Sequence, residues 1–356
     1  MRAAVFTFTK NGAIRGVQLL EFLKREGFTA VCYAMEDYAS ESSELIPMST
    51  GLKAVVESEF ESGPGSGPER RRLMVFIGAL GIAVRAIAPY ISDKTKDPAV
   101  ICVDEAAKFV IPVLSGHIGG ANAFAKKIAG FFGAAAAVTT ATDVNGVFAA
   151  DEWAAEHELV IADIAPAKQV SKVLLDGEVV GLYTDYEIKG ALPFGVTADP
   201  GLRTGIAVSS NGKVRPFENT LNLMPRILHM GIGCRKGAKF EDIDRAVTGV
   251  LHENGVDMRC VCKVASIDLK KTEDGLLAFA NHYNVPVFFY TADELSKAEG
   301  QFLSSGFVKS VTSVDNVCER AAVFSAGGGR LIIKKTAKNG VTVAVAEPDW
   351  SICFEN

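Results

Sequence analysis

Among its 356 residues the sequence has only five histidines and two tryptophans, and it has no surplus of positive charge. Lys and Arg total 37 against 42 Asp and Glu, a formal net charge of −5. A broad basic face for nucleic acid is therefore excluded, and an anion has to be held by local devices such as helix N-termini or single arginines. No apolar run reaches the roughly 20 residues that cross a bilayer. The opening "MRAAVFTFTK" lacks a basic segment, a long apolar stretch and a small-residue cleavage site, so it reads as a strand and not as a secretion signal. The seven cysteines are scattered. Cys260 and Cys262 form C-x-C with no second pair and no histidines at zinc-ligand spacing. Reduced, mostly buried thiols in a cytoplasmic protein are expected, with the role of that pair left open.

What is present is the composition of a soluble globular chain, 48% apolar and 22% charged, long enough for two or three domains. Strand and helix signals alternate through the first part: "AAVFTFT", then the amphipathic "GAIRGVQLLEFLKREG", then "FTAVCYA". "ESGPGSGPERRR" (61–72) interrupts as a surface loop. "LMVFIGALGIAVRAIAPYI" resumes as strand, turn and helix, "AVICVDEAAKFVIPVL" gives two short strands about a tight turn, and "GGANAFAKKIAGFFG" a helix. From 147 to about 225 the pattern changes to short strands with turns such as "DPG" and "NGK" and one helix near "APAKQVSKVLLDG". Alternation returns from "RILHMGIGC" to the closing strands "RLIIKK" and "VTVAVAE". The expectation is an α/β protein, with two α/β lobes of mostly parallel sheets (1–146 and 226–356) joined by a small α+β middle segment (147–225).

Open α/β sheets gather ligands beyond the carboxyl ends of their strands. Loops at 9–12, 78–81, 115–120 and 139–143 are all expected at that edge of the first lobe. In "VLSGHIGGANAFAKKIA", Gly116, Gly119 and Gly120 would let backbone amides approach an anion or a developing oxyanion at a helix start. His117 brings a ring that exchanges a proton near neutrality. The alternative is tight helix–sheet packing with His117 capping a carbonyl. Lys126 and Lys127 are expected to face outward. Ser115 invites a nucleophile reading, but G-x-S-x-G is absent, and a capping or ligand-binding hydroxyl is preferred. Asp104, in "VDEAAKF", is a candidate base or orienter, or shapes the turn. Thr140 and Asp143, in "TTATD", offer a hydroxyl and a proton acceptor or cap. Gly81 and Arg85 lie in "GALGIAVRAIAP", where Leu80, Val84, Ile87 and Ile91 form a stripe. Arg85 could hold a carboxylate bidentately, or pair with Asp104. In the last lobe, "MGIGCRKG" departs from the dinucleotide fingerprint. "ASIDLKKTEDG" packs Ser266, Asp268, Lys270 and Lys271 at a strand-to-helix junction, as a charge cluster for carboxylates or as a solvated turn.

Taken together, "GALGIAVRAIAP", "VDEAAKFVIPVLSGHIGGAN" with "TTATD", and "GIGCRKG" with "ASIDLKKTEDGLL" resemble the cobalt-precorrin-5A hydrolase family, cobalamin biosynthesis protein G, in family order over most of the chain. The resemblance implies a cobalt-containing, ring-contracted tetrapyrrole as substrate. Water opens its δ-lactone, acetaldehyde leaves, and cobalt-precorrin-5B remains. Cobalt arrives with the substrate, so no cofactor and no protein-only metal site are expected. Other corrinoid-pathway enzymes are further candidate partners, and nucleic acid and membrane are not. On this reading His117 is the base and later the proton donor, with Asp104 or Asp143 orienting it. Ser115, Gly116, Gly119, Gly120, Arg85, Gly81, Thr140, Ser266, Asp268, Lys270 and Lys271 would contact substrate, in a cleft expected between the lobes. A non-catalytic corrinoid carrier is the alternative.

Overall fold

The computed structural model describes residues 1–61, 72–93, 96–304, 306 and 314–354, which leaves most of the loop expected at 61–72, and Ser313, outside the described residues. The chain divides into two compact units, Met1–His157 and Glu158–Asn356.

The first unit runs β1 (Arg2–Thr7), α1 (Lys10–Arg25), β2 (Thr29–Ala34), β3 (Leu45–Pro47), α2 (Gly51–Glu61), β4 (Arg72–Ile77), α3 (Leu80–Ile87), β5 (Ala99–Val103), β6 (Phe109–Leu114), α4 (Ala121–Phe132), β7 (Ala135–Ala136), α5 (Ala141–Val144) and α6 (Ala150–Glu156). Its seven strands lie in the order β3-β2-β1-β4-β5-β6-β7. β4 and β5 are almost wholly buried, because helices cover both faces of a parallel sheet and leave no solvated side to alternate with. α1 starts at Thr9, whose Oγ1 accepts from the Gly12 amide at 3.1 Å, and buries Leu19, Leu20 and Leu23. Gly16 sets its height above the sheet, since a Cβ there would stand 2.7 Å from Thr7 and 2.8 Å from Cys32. α4 buries Ala125 and Ile128, each fully buried aliphatic side chain of isoleucine size contributing about 1.5–3 kcal/mol, and stops at Gly133 with φ +66°.

One pairing changes the expected geography. β6 runs antiparallel to β5, and β7 parallel to β6. The cause is the turn at 104–108: Asp104 accepts the amides of Ala106, Lys108 and Phe109, and Ala107 takes φ +53°, so the chain doubles back within five residues. The four candidate loops therefore fall on two edges. Thr9 and Glu105 meet at one, through a 2.8 Å hydrogen bond from the threonine hydroxyl. The loops at 115–120 and 139–143 gather at the other, beyond the carboxyl ends of β6 and β7.

The second unit runs β8 (Leu159–Ile161), α7 (Ile164–Leu175), β9 (Val180–Thr184), β10 (Glu187–Lys189), β11 (Val196–Thr197), β12 (Thr204–Val208), β13 (Asn219–Pro225), β14 (Leu228–Cys234), α8 (Phe240–Glu253), β15 (Val261–Ile267), α9 (Asp274–His282), β16 (Val287–Tyr290), α10 (Ala292–Ser296), α11 (Cys318–Ser325), β17 (Arg330–Lys338), β18 (Val341–Glu347) and β19 (Ser351–Cys353). It carries one sheet ordered β11-β9-β12-β13-β8, where only β8 is antiparallel, and another ordered β16-β15-β14-β18-β17. β10 pairs with β19. α8 packs Ile243, Val247 and Val250 into the core beneath this sheet, chiefly against β18, and Gly231 lets α11 sit against β14, where a Cβ would come within 2.7 Å of the Cys318 carbonyl carbon. The protein is thus α/β, with several mixed, mostly parallel sheets. Among the described residues no helix is long and apolar enough to cross a membrane.

Candidate active site

Beyond β6 the backbone turns at Ser115, which holds φ +56°, a left-handed conformation that costs a side-chain-bearing residue about 1–2 kcal/mol. Its hydroxyl donates to the Asp97 carbonyl at 3.1 Å, which ties the turn to the loop before β5. The glycines that follow are required by space. A Cβ on Gly116 would meet Asn122 Oδ1 at 2.8 Å, and one on Gly119 would meet the Ser115 Cβ at 2.5 Å. Gly120 takes φ +83° at the start of α4. Of the amides expected to be free for an anion, that of Gly120 is used, donating to the His117 carbonyl at 2.9 Å; the next two tie the loop, Ala121 donating to Ser115 at 3.1 Å and Asn122 to Gly116 at 3.0 Å. The expectation of an anion-holding Gly120 amide is corrected accordingly. The loop closes on itself before α4 begins.

That closed loop holds His117 between acids. Nδ1 lies 3.3 Å from Asp151 Oδ1, and Nε2 lies 3.4 Å from Asp143 Oδ2 and 3.1 Å from the Thr142 hydroxyl. Asp143 is itself fixed, accepting from Lys126 Nζ at 2.7 Å and from Asn122 Nδ2 at 2.9 Å; Asn122 also donates to Thr140 Oγ1 at 2.9 Å. The imidazole is 15% exposed, Asp143 8% and Asp151 11%. Hydrogen bonding to Asp151 raises the His117 pKa above the ordinary imidazole value, against the opposing effect of burial. Burial alone would raise Asp143, but the Lys126 ammonium, Asn122 and His117 together hold it low. Glu152, next along α6, is pushed up by burial.

A recess of about 200 Å³ opens beside the ring, lined by Ser115, Gly116, His117, Ile118, Thr140 and Asp151. Drug-sized pockets hold about 300–1,000 Å³, so this one has room for only a small group. Ligand atoms of His117, Asp143 and Glu152 lie within 4.8 Å of one another, a spacing that could seat a divalent ion. Lys126 already neutralises Asp143 there, which favours proton traffic over metal binding.

The structure brings Ser115, Gly116, His117, Thr140 and Asp143 together, with Gly119 and Gly120 in the same loop. Asp104 is not brought to the imidazole. It stands at the far end of β6, a six-residue strand roughly 17 Å long at ~3.3 Å per residue, and its carboxylate holds its own turn. Arg85 is exposed on α3 and lies over Gly81. The expected packing stripe is also corrected: Leu80 and Val84 are 41% and 45% exposed, because this eight-residue helix packs through Ala83 and Ile87. In the second unit, Ser266 is fully buried and donates to the Ile232 carbonyl at 2.6 Å. Asp268 opens a single 3-10 turn, Lys270 pairs with Glu273 at 3.0 Å, and Lys271 is exposed.

Sequence reasoning missed Asp151, Glu152, Asn122 and Thr142, and turned Lys126 outward where it folds back to Asp143. The available signal was "ADEWAAE", where Asp151 shares a buried helix face with Ala150, Trp153 and Ala154. A carboxylate on an apolar face needs a partner, and here that partner is an imidazole.

Residues 69–143 match the cobalamin synthesis G N-terminal family and residues 228–346 the cobalamin synthesis G C-terminus family. The chain is 32% identical to the cobalt-precorrin-5A hydrolase of Salmonella typhimurium over 354 residues, covering 96% of both chains. It is 28% identical to the cobalt-precorrin-5A hydrolase of Priestia megaterium, covering 96% of this chain and 94% of that one.

Proposed function

The chain belongs to the cobalt-precorrin-5A hydrolase family, and from that premise we propose that it opens the δ-lactone of cobalt-precorrin-5A in cobalamin biosynthesis, using His117 as the proton carrier. The observation that carries the assignment of the site is one imidazole held between two largely buried aspartates at the wall of a recess sized for a side arm. The lactone arm enters the recess, with Ser115, Gly116 and Thr140 as its walls, while the macrocycle and its cobalt stay outside.

Water in the recess gives its proton to the neutral His117 and adds to the lactone carbonyl. Asp151 stabilises the imidazolium that forms, and Asp143, anchored by Lys126 and Asn122, keeps the ring from turning. As the ring C–O bond breaks, the imidazolium returns the proton to the departing oxygen. The products of this step are a free carboxylate and a two-carbon arm bearing a hydroxyl. Deprotonation of that hydroxyl then breaks the carbon–carbon bond to the macrocycle. Its electron pair and the proton remain with the macrocycle, and acetaldehyde leaves. Asp104, spent on its turn, has no part in this scheme. Among the described residues no disulfide is assigned, which suits the reducing cytoplasm we take as the compartment.

The test is anaerobic incubation with cobalt-precorrin-5A and an acetaldehyde assay. The wild-type chain is expected to release acetaldehyde and His117→Ala to lose nearly all of it. Tight corrinoid binding without acetaldehyde from the wild type would mark a carrier instead, and a normal rate from His117→Ala would remove the imidazole from the mechanism.

A further inference from the structure

The second unit has a pocket of its own, about 530 Å³, at the carboxyl ends of β14, β15 and β17. Its walls are apolar, with Ile267, Val317 and Val341 among them, and Cys234 and Cys318 add to them as protonated thiols because burial raises both. Around its mouth stand Arg235, Lys236, Lys270 and Lys335. Lys270 is paired with Glu273 at 3.0 Å and Arg235 with Asp242 at 3.8 Å. Among the described residues Lys236 and Lys335 form no ion pair, although Glu273 feels the Lys236 charge and Glu319 accepts from the Lys335 backbone amide at 2.7 Å.

Two ammonium groups that make no ion pair, set beside an apolar cavity in a chain of net charge −5, define a complementary ligand. It has a broad apolar body and several carboxylates at its edge. Carboxylates on flexible arms would meet Lys236 and Lys335 as point charges, and the ring face would lie on Ile267 and Val317. We propose that this pocket is a binding site for a polycarboxylated tetrapyrrole, built from Arg235, Lys236 and Lys335 over an apolar floor. The geometry calls for an amphiphilic polyanion, and the tetrapyrrole identity rests on the hydrolase reading.

The test is a fluorescence titration of the full-length chain with uroporphyrin I, an octacarboxylated tetrapyrrole, at low and high salt, with thermal melts as the folding control. The double variant Lys236→Glu/Lys335→Glu is expected to bind at least about tenfold more weakly and with less salt dependence. Ala337→Trp, at an exposed position that lines the pocket, is expected to weaken binding by filling the cavity without removing charge. Lys189→Glu, a charge reversal at an exposed position outside the pocket, is expected to bind within about twofold of wild type. No saturable binding by the wild type, or unchanged affinity in both pocket variants, would overturn the proposal. The acetaldehyde assay separates the two readings. Normal release with unchanged uroporphyrin binding in the pocket variants defeats this site alone, and binding lost in those variants with no acetaldehyde from the wild type defeats the hydrolase reading alone.

Discussion

The recess at His117 holds about 200 Å³ and sets an imidazole among Asp143, Asp151 and Glu152, whereas the pocket of the second unit holds about 530 Å³ and sets apolar walls beneath four cations. Both lie at the carboxyl ends of strands. In the first, Lys126 answers Asp143 and the imidazole stands between both aspartates, so the energy goes into fixing one ring and tuning its proton. In the second, Lys236 and Lys335 form no ion pair among the described residues, so their charge is available to an incoming anion. The histidines make the same point within one chain. His117, with Asp151 beside it, is shifted up, while His229, buried against the Ser325 hydroxyl with Lys263 nearby, is pushed down to about 4. Burial lowers both, and only at His117 does a carboxylate outweigh it.

Removing the ring should have the largest effect. His117→Ala is expected to cut acetaldehyde release by about 10²–10⁴-fold. Asp151→Asn should cost about 10²-fold, since it removes the charge that stabilises the imidazolium, and the loss should appear in kcat more than in KM. Reversal of Lys236 and Lys335 should weaken binding about tenfold and leave the pH dependence set by His117 where it was. Should it move that dependence, the division between the two pockets fails. Gly119→Ala places a Cβ 2.5 Å from Ser115 and should lower the melting temperature of the first unit, by about 1–3 kcal/mol of stability. The smallest effect concerns His229. Because its folded pKa lies below the unfolded value, the unfolded chain takes the proton first as pH falls, and stability drops from about pH 6.5 down to about 4. A His229→Gln variant should show a shallower fall in melting temperature across that window.

Much of this was legible in the residues. Alternating apolar runs placed β1, α1, β4, α4 and β14 close to where they stand, because each buries a face whose period appears in the sequence. His117 and Asp143 stood out as titratable groups in glycine- and hydroxyl-rich breaks. The reversal at β6 was less visible: the tight turn around Asp104 could be seen, but its effect on which edge the next loops occupy belongs to the sheet. Asp151 hid in a short helix read as part of the next segment. Lys126 looked outward because its position on α4 faces solvent, and only its long stem brings the ammonium back to Asp143. Lys236 and Lys335 are far apart in sequence and share a pocket only because β18 lies between β14 and β17.

The central claim is that an imidazole tuned by Asp151 carries the reaction's proton, and the most direct measurement is kcat/KM for acetaldehyde release from pH 5 to 9 in wild type and Asp151→Asn. The base form of His117 is needed to activate water and its pKa is raised, so the wild-type rate should climb through an inflection above about 6.5, and the variant's inflection should fall lower. A wild-type profile flat across that range, or one whose inflection stays in place when Asp151 is replaced, would contradict the account.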